Sequence, residues 1–238
     1  VSTPGFVAGD FHLHSVQSRD SGVPLDERAL SLAAEGLEYV ALTDHERVMT
    51  LAPAIASQGL ASFLYAVDGD EISIPLYGHF NAYPMPSAAI ATREHDGTRF
   101  WFDVPQGRHL TATELISKVR DIPGDRVIQM NHPRGSNGKG YLGSIDFDPE
   151  TGLGDEPVAT GFDTIEVNGE IDLGAESTML DWFSLLKSGV RMTAVGVSDS
   201  HKTWDPGYPR TLVRVGTDDP AAVSEATFVA AMKAGRVT

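Results

Sequence analysis

The sequence predicts an α/β fold whose strands gather into a barrel. Three observations carry this expectation. Strand-like and helix-like stretches alternate along the chain. Most strand-like stretches are near-continuous apolar runs, the pattern of a parallel sheet covered by helices. Six or more such strands fall within one chain of 238 residues, which favours a barrel over an open sheet.

The elements are expected in this order. "FVAGDFHLH" (6–14) is a buried strand. Residues 24–36 form a helix, with Pro24 near its start, acids in its first turn and Gly36 as its stop. Residues 37–46 are a strand, 50–60 a short helix, and 62–73 and 76–85 two further strands around a turn-like "IPLYG". Residues 86–109 are an irregular excursion. A helix follows over 111–124, with Thr111 or Thr113 as its cap and Pro123-Gly124 as its stop. Residues 125–133 are a strand and 134–157 a glycine-rich loop. The rest is a strand (162–169), a helix (176–189), two strands (190–201 and 210–216) and a helix (224–235). A single domain is expected over 1–238. The start at Val1 and the stop just after a helix-like stretch suggest a piece of a longer protein.

Composition narrows the function. There are 18 basic and 33 acidic residues, a net charge of −15. So acidic a surface argues against non-specific nucleic-acid binding and against anionic membranes. No apolar run approaches the about 20 residues of a membrane span. The absence of cysteine excludes disulfides and thiolate metal sites but leaves the compartment open. "GSNGKG" lacks phosphate-loop spacing, and no G-x-S-x-G elbow supplies a serine nucleophile.

In parallel α/β folds, chemistry sits at the C-terminal ends of strands. The predicted strands end, in turn, in His12 and His14, in Asp44-His45, in Asp70-Glu71, at His79, in Asn131-His132, in Glu166, and in Asp199 and His201. His12 and His14 are two apart, so on a strand both face one side, as do Asp199 and His201. One such pair means little. Eight histidines in 238 residues give roughly 0.27 HxH pairs by chance. Six histidines and several acids on one rim mean more, because such a cluster needs a cation to neutralise it. Imidazole and carboxylate ligands suit Zn, Mn or Fe.

The series "DFHLHS…D…ALTDH…GDEIS…GHFNAY…NHPR…EVNG…GVSDSHK", in this order from about residue 9 to 215, resembles the PHP (polymerase and histidinol phosphatase) superfamily. The His14–Asp20 spacing, with "GHFN", "SDSHK" and "GYPRT", resembles its carbaryl-hydrolase-like CehA/McbA branch. The resemblance implies a distorted (β/α)7 barrel with two or three divalent ions at the strand ends. One ion would sit on His12, His14, Glu71 and Asp199. A second would share Glu71 and add His79 and His132, and a third would use Asp20, His45 and His201. It further implies a metal-dependent hydrolase acting on phosphoesters or, on the branch's pattern, on carboxyl or carbamate esters. A metal-binding module with little activity of its own is the remaining alternative. Chemistry would centre on Glu71, Asp199 and His201, with His201 able to protonate a leaving group if it is not a ligand.

Other residues are weighed beside these. Asp44 would orient a ligand or cap the next element. Glu166 would support a ligand, touch substrate or pair as an ordinary ion. Arg134, Lys202 and Arg210 could bind an anionic group of a small-molecule substrate. Trp101, Trp204 and Tyr208 could line a pocket. His95 and His109 belong on the surface.

Overall fold

The computed structural model of the chain describes residues 3–74, 76–86, 110–135, 140–167 and 175–238. His95, Trp101 and His109 lie outside them. Strand β1 (Phe6–Asp10) is followed by helix α1 (Leu25–Ala34), β2 (Tyr39–Leu42), α2 (Ala52–Ser57), β3 (Tyr65–Asp68), β4 (Asp70–Ile74) and β5 (Gly78–Tyr83). Then come α3 (Ala112–Arg120), β6 (Val127–Met130), α4 (Tyr141–Ser144), β7 (Thr164–Glu166), α5 (Ala175–Lys187), β8 (Thr193–Val195), β9 (Thr211–Arg214), a 3-10 turn at Pro220–Ala222 and α6 (Glu225–Lys233). Thr111 caps α3: its side chain accepts from the Glu114 amide, and the Glu114 carboxylate accepts from the Thr111 amide. No helix among the described residues is long and apolar enough to cross a membrane.

The mixed α/β class is as expected, but the closed barrel is not seen. The ladders form a four-stranded sheet, β3-β2-β1-β9, and a five-stranded sheet, β4-β5-β6-β7-β8. Nor are all strands parallel. β9 runs antiparallel to β1, and β5 antiparallel to both β4 and β6. Among the described residues, single bridges join the sheets, His45 to Glu71 and Leu13 to Ser200.

Gly69 explains the departure on one side. The strand expected over 62–73 is two strands, and Gly69 lies between them. β3 pairs with β2 in the first sheet, while β4 pairs with β5 in the second. At Gly69 the backbone passes so near the end of β2 that a Cβ would stand 2.8 Å from Thr43 Cγ2 and 2.9 Å from the Leu42 carbonyl. The chain thus leaves one sheet and enters the other. The tight β4–β5 connection then forces an antiparallel pair.

A core drawn from both sheets holds them together. Phe11, Tyr39, Tyr83 and Phe228 are fully buried in one cluster with Val7, Val127, Val195 and Val213. The Phe11 ring lies 5.1 Å from Phe228 and 5.8 Å from Tyr83, so α6 packs onto this aromatic group. His12 and His14 follow Phe11 directly, and the apolar core gives way there to a polar layer.

Candidate metal centre

All nine side chains nominated as ligands meet at one end of the two sheets. Glu71, near the start of β4, is their hub. Its Oε1 lies 3.1 Å from His12 Nε2, 2.9 Å from His79 Nδ1 and 3.5 Å from His132 Nε2. Its Oε2 lies 3.2 Å from His14 Nε2 and 3.0 Å from His45 Nδ1. Asp199 Oδ1 stands 3.1 Å from His12 Nε2 and 3.0 Å from His14 Nε2. Asp20 Oδ2 joins His45 Nε2 at 3.1 Å and His201 Nε2 at 3.2 Å. His79 reaches this end because β5 is antiparallel: its start lies beside the end of β6, and the Asn131 amide donates to the His79 carbonyl.

Ligating atoms within reach of one another form four groups: His14, Asp20, His45 and His201; His12, His14 and Glu71; His12, His132 and Asp199; His45, Glu71 and His79. The groups overlap more than the expected sets do. His45 stands with Glu71 and His79 as well as with Asp20 and His201. His132 stands with His12 and Asp199, and it also shares Glu71 Oε1 with His79, whose ring centroid is 4.9 Å away.

The cluster is graded from a closed floor to an open mouth. His12 and His14 are fully buried and Glu71 is 1% exposed. At the mouth, the Asp20 side chain is 51% exposed and His79 34%. The electrostatics match a group of imidazoles around carboxylates. Burial pushes His12 down, but Asp199, Glu71 and Glu166 outweigh it and set its pKa well above the usual imidazole value. Glu71 is pushed up by burial, yet His12, His79 and His45 hold it well below the carboxylate range. Hydrogen bonds from His201 and His45 hold Asp20 far down.

The donor set fits a cation. His12 Nε2 and Glu71 Oε2 are buried and make no hydrogen bond. Both have partners close enough, at 3.0–3.2 Å, but not in line: the atoms point at a shared space. His12 Nδ1 is 2.7 Å from Glu166 Oε1, which places the ring proton on Nδ1 and leaves a lone pair on Nε2 facing carboxylate oxygens. Only protons or a cation relieve that arrangement. Ligand bonds of about 2.0–2.2 Å set neighbouring ligand atoms about 2.8–3.6 Å apart, from octahedral to tetrahedral geometry, a range that contains these separations.

A polar shell holds the ligands, and sequence reasoning missed most of it. Asp44 meets the hub through its backbone, where its carbonyl accepts from the Glu71 amide at 3.2 Å. Its carboxylate accepts from the Ser15 amide and hydroxyl, both at 2.6 Å, and from the Ser18 amide and hydroxyl, so it shapes the turn after β1. Ser18 Oγ is 2.8 Å from His14 Nδ1. Asn131 Nδ2 donates to Glu71 Oε1 and to Asn81 Oδ1. Fully buried Arg28 of α1 donates to the carbonyls of His14, Ser200 and Lys202, tying both HxH-type segments to one helix. These neutral or backbone-directed contacts leave no spacing signal.

Two of the three expected substrate cations are committed elsewhere. Arg134 makes a bidentate pair with the buried Asp181 of α5, at 2.7 and 2.6 Å, and donates to the Phe147 carbonyl. Arg210 donates to the carbonyls of Gly207 and Glu35 and lies over the Tyr208 ring. These bonds occupy two of the three nitrogens of each guanidinium. Lys202 is exposed beside His201, and Trp204 and Tyr208 are 72% and 56% exposed.

Comparison with solved structures bears on this geometry. The whole chain aligns with a two-domain protein from Bacteroides vulgatus that contains a predicted PHP-like metal-dependent phosphoesterase. The TM-score is 0.65 at 19% identity, over 100% of this chain and 66% of that one. This is a PHP-like fold. A lesion-specific endonuclease from Pyrococcus furiosus aligns at TM-score 0.64 and 16% identity, over 96% of this chain and 56% of that one. PsfC from Pseudomonas syringae aligns at 0.61 and 13%, over 96% and 90%. The chain thus spans less than two thirds of two of these neighbours. Neither family models nor curated proteins give a match.

Proposed function

We propose that this chain is a metal-dependent hydrolase, with phosphoesters as its first substrate class. The gathering of nine candidate ligand side chains, Glu71 among them, with His12 Nε2 and Glu71 Oε2 left without hydrogen bonds, carries the reading. The site suits two or three divalent ions such as Zn, Mn or Fe. Bound there, such ions lower the pKa of a water toward neutrality and polarise a phosphoryl or carbonyl oxygen. Glu71, His12, His14, Asp199, His132, His79, His45, Asp20 and His201 would hold the ions. His201 Nδ1 lies 2.7 Å from the Asp199 carbonyl, so its proton sits there and Nε2 faces Asp20 as a ligand. That geometry favours ligation over leaving-group protonation. The two neighbours named as a phosphoesterase and an endonuclease support phosphoester chemistry.

One observation favours a second reading. With Arg134 and Arg210 committed, the described mouth offers little positive charge beyond the ions. A neutral carboxyl or carbamate ester, as the CehA/McbA resemblance implies, would fit such a mouth. Elemental analysis of protein purified without added metal tests the common premise; a metal content near zero would sink it. Assays with an aryl phosphate and an aryl ester then separate the two readings. His12→Ala should lower the true activity by more than about 100-fold, since even residues that only support ligands cost 10–100-fold. Activity surviving in His12→Ala would mean another site.

A further inference from the structure

We infer that Glu166 is a positioning residue that locks two ligand histidines at once and thereby sets the affinity of the buried metal positions. The inference rests on the metal-binding reading above. Glu166 closes β7 and is 1% exposed. Its Oε1 takes His12 Nδ1 at 2.7 Å, and its Oε2 takes the backbone amide of His132 at 2.5 Å. Gln129 Nε2 adds a third donor to Oε1 at 2.9 Å. Gln129 keeps its nitrogen toward Glu166, because a reversed amide would set its oxygen against the carboxylate; as it stands, that oxygen accepts from the Tyr83 hydroxyl at 2.8 Å. Glu166 is therefore met by three donors on two oxygens, and each has a consequence for the cluster.

The first contact fixes a tautomer. While Oε1 holds the Nδ1 proton, His12 can ligate only through Nε2, the atom that faces Glu71 and Asp199. The second contact fixes a backbone. His132 has φ +23°, a conformation that side-chain-bearing residues rarely adopt, and the bond to its amide holds it there. His12 belongs to two of the ligand groups, and His132 shares one of them with it. One carboxylate thus ties β7 to the ends of β1 and β6.

Substitutions separate this from a merely structural role. Glu166→Ala removes both contacts. Glu166→Gln keeps one acceptor. That oxygen will settle on the Oε1 side, where two donors meet it, so the His12 tautomer survives and the His132 amide loses its partner. Competitive chelator titration of the zinc-loaded chain reads the stepwise affinities. Glu166→Ala should weaken the tightest-bound zinc by about 10–100-fold, and Glu166→Gln by less than about 10-fold. Histidine-labelled nitrogen–proton spectra of the zinc-loaded wild type should show His12 with its proton on Nδ1 and zinc on Nε2. Wild-type affinities in both variants would overturn the inference, as would equal losses in the two. If the variants do not fold, the wild-type spectrum still decides: zinc on His12 Nδ1 overturns it. A wild type that binds no zinc, manganese or iron would instead overturn the metal reading itself.

Discussion

His14 and His132 have pKa values raised to about 9. Burial pulls both imidazoles down, and neighbouring carboxylates more than offset it: Asp199 and Glu71 for His14, Glu71 foremost for His132. Their unfolded pKa is about 6.5. Raised folded values stabilise the metal-free chain fully below pH about 6.5, and this contribution fades as pH rises through about 9. Ions need neutral imidazoles, so metal binding replaces those protons and should flatten the dependence. With chelator present, the urea midpoint should therefore fall between pH 6.5 and 9. A flat or rising midpoint would speak against charged imidazoles. At this scale the gathering of the nine nominated side chains was legible, because imidazoles and carboxylates recur at the ends of successive predicted strands. Their overlap was not: that His132 stands beside both His79 and His12 depends on strand direction. The partners of Arg134 and Arg210, Asp181 and two backbone carbonyls, were not legible, because they are distant in sequence or leave no mark on it.

Among the elements, Gly69 has the largest effect for its size. It lets β3 and β4 be consecutive in sequence yet belong to different sheets, and it delivers Asp70-Glu71 beneath the histidines. Gly69→Val would drive a side chain into Thr43 and the Leu42 carbonyl. Expected is a loss of about 1–3 kcal/mol, the usual cost of overpacking, together with a lower metal content as Glu71 shifts. An unchanged urea midpoint would show that the crossing is looser than the contacts imply. The stretch 62–73 reads as one strand although Asp68-Gly69-Asp70 interrupts it, and only the pairing shows that its halves enter different sheets. Helices were easier to place, because caps and stops such as Thr111 and Gly36 are local. The antiparallel direction of β5 was not read from the sequence, whose apolar runs pointed to a parallel sheet.

For the molecule as a whole, the two sheets meet at single bridges, and ligands come from both. His12, His14 and His45 follow strands of the first sheet, while Glu71, His79 and His132 belong to the second or follow it. Bound ions would thus cross-link the sheets and relieve repulsion among carboxylates in a chain of net charge −15. Ions held at a hundred times their Kd add about 2.7 kcal/mol, which for a domain of this size means about 5–10 °C in Tm. Chelation should lower the melting temperature by that much, and restored zinc or manganese should recover it. A melt insensitive to chelator and metal would leave the sheets held by the aromatic core alone.

The sequence by itself determined the α/β class, the order of elements and the residues that gather at the strand ends. These follow from local causes: apolar runs, caps, and residue types that are costly to bury without a partner. Only the tertiary structure decided that the ladders stay as two sheets, which ligands share a position, and that Asp44, Glu166, Asn131 and Arg28 hold them. Those outcomes depend on contacts between residues tens to more than a hundred positions apart, where one glycine crossing or one antiparallel strand changes the neighbours.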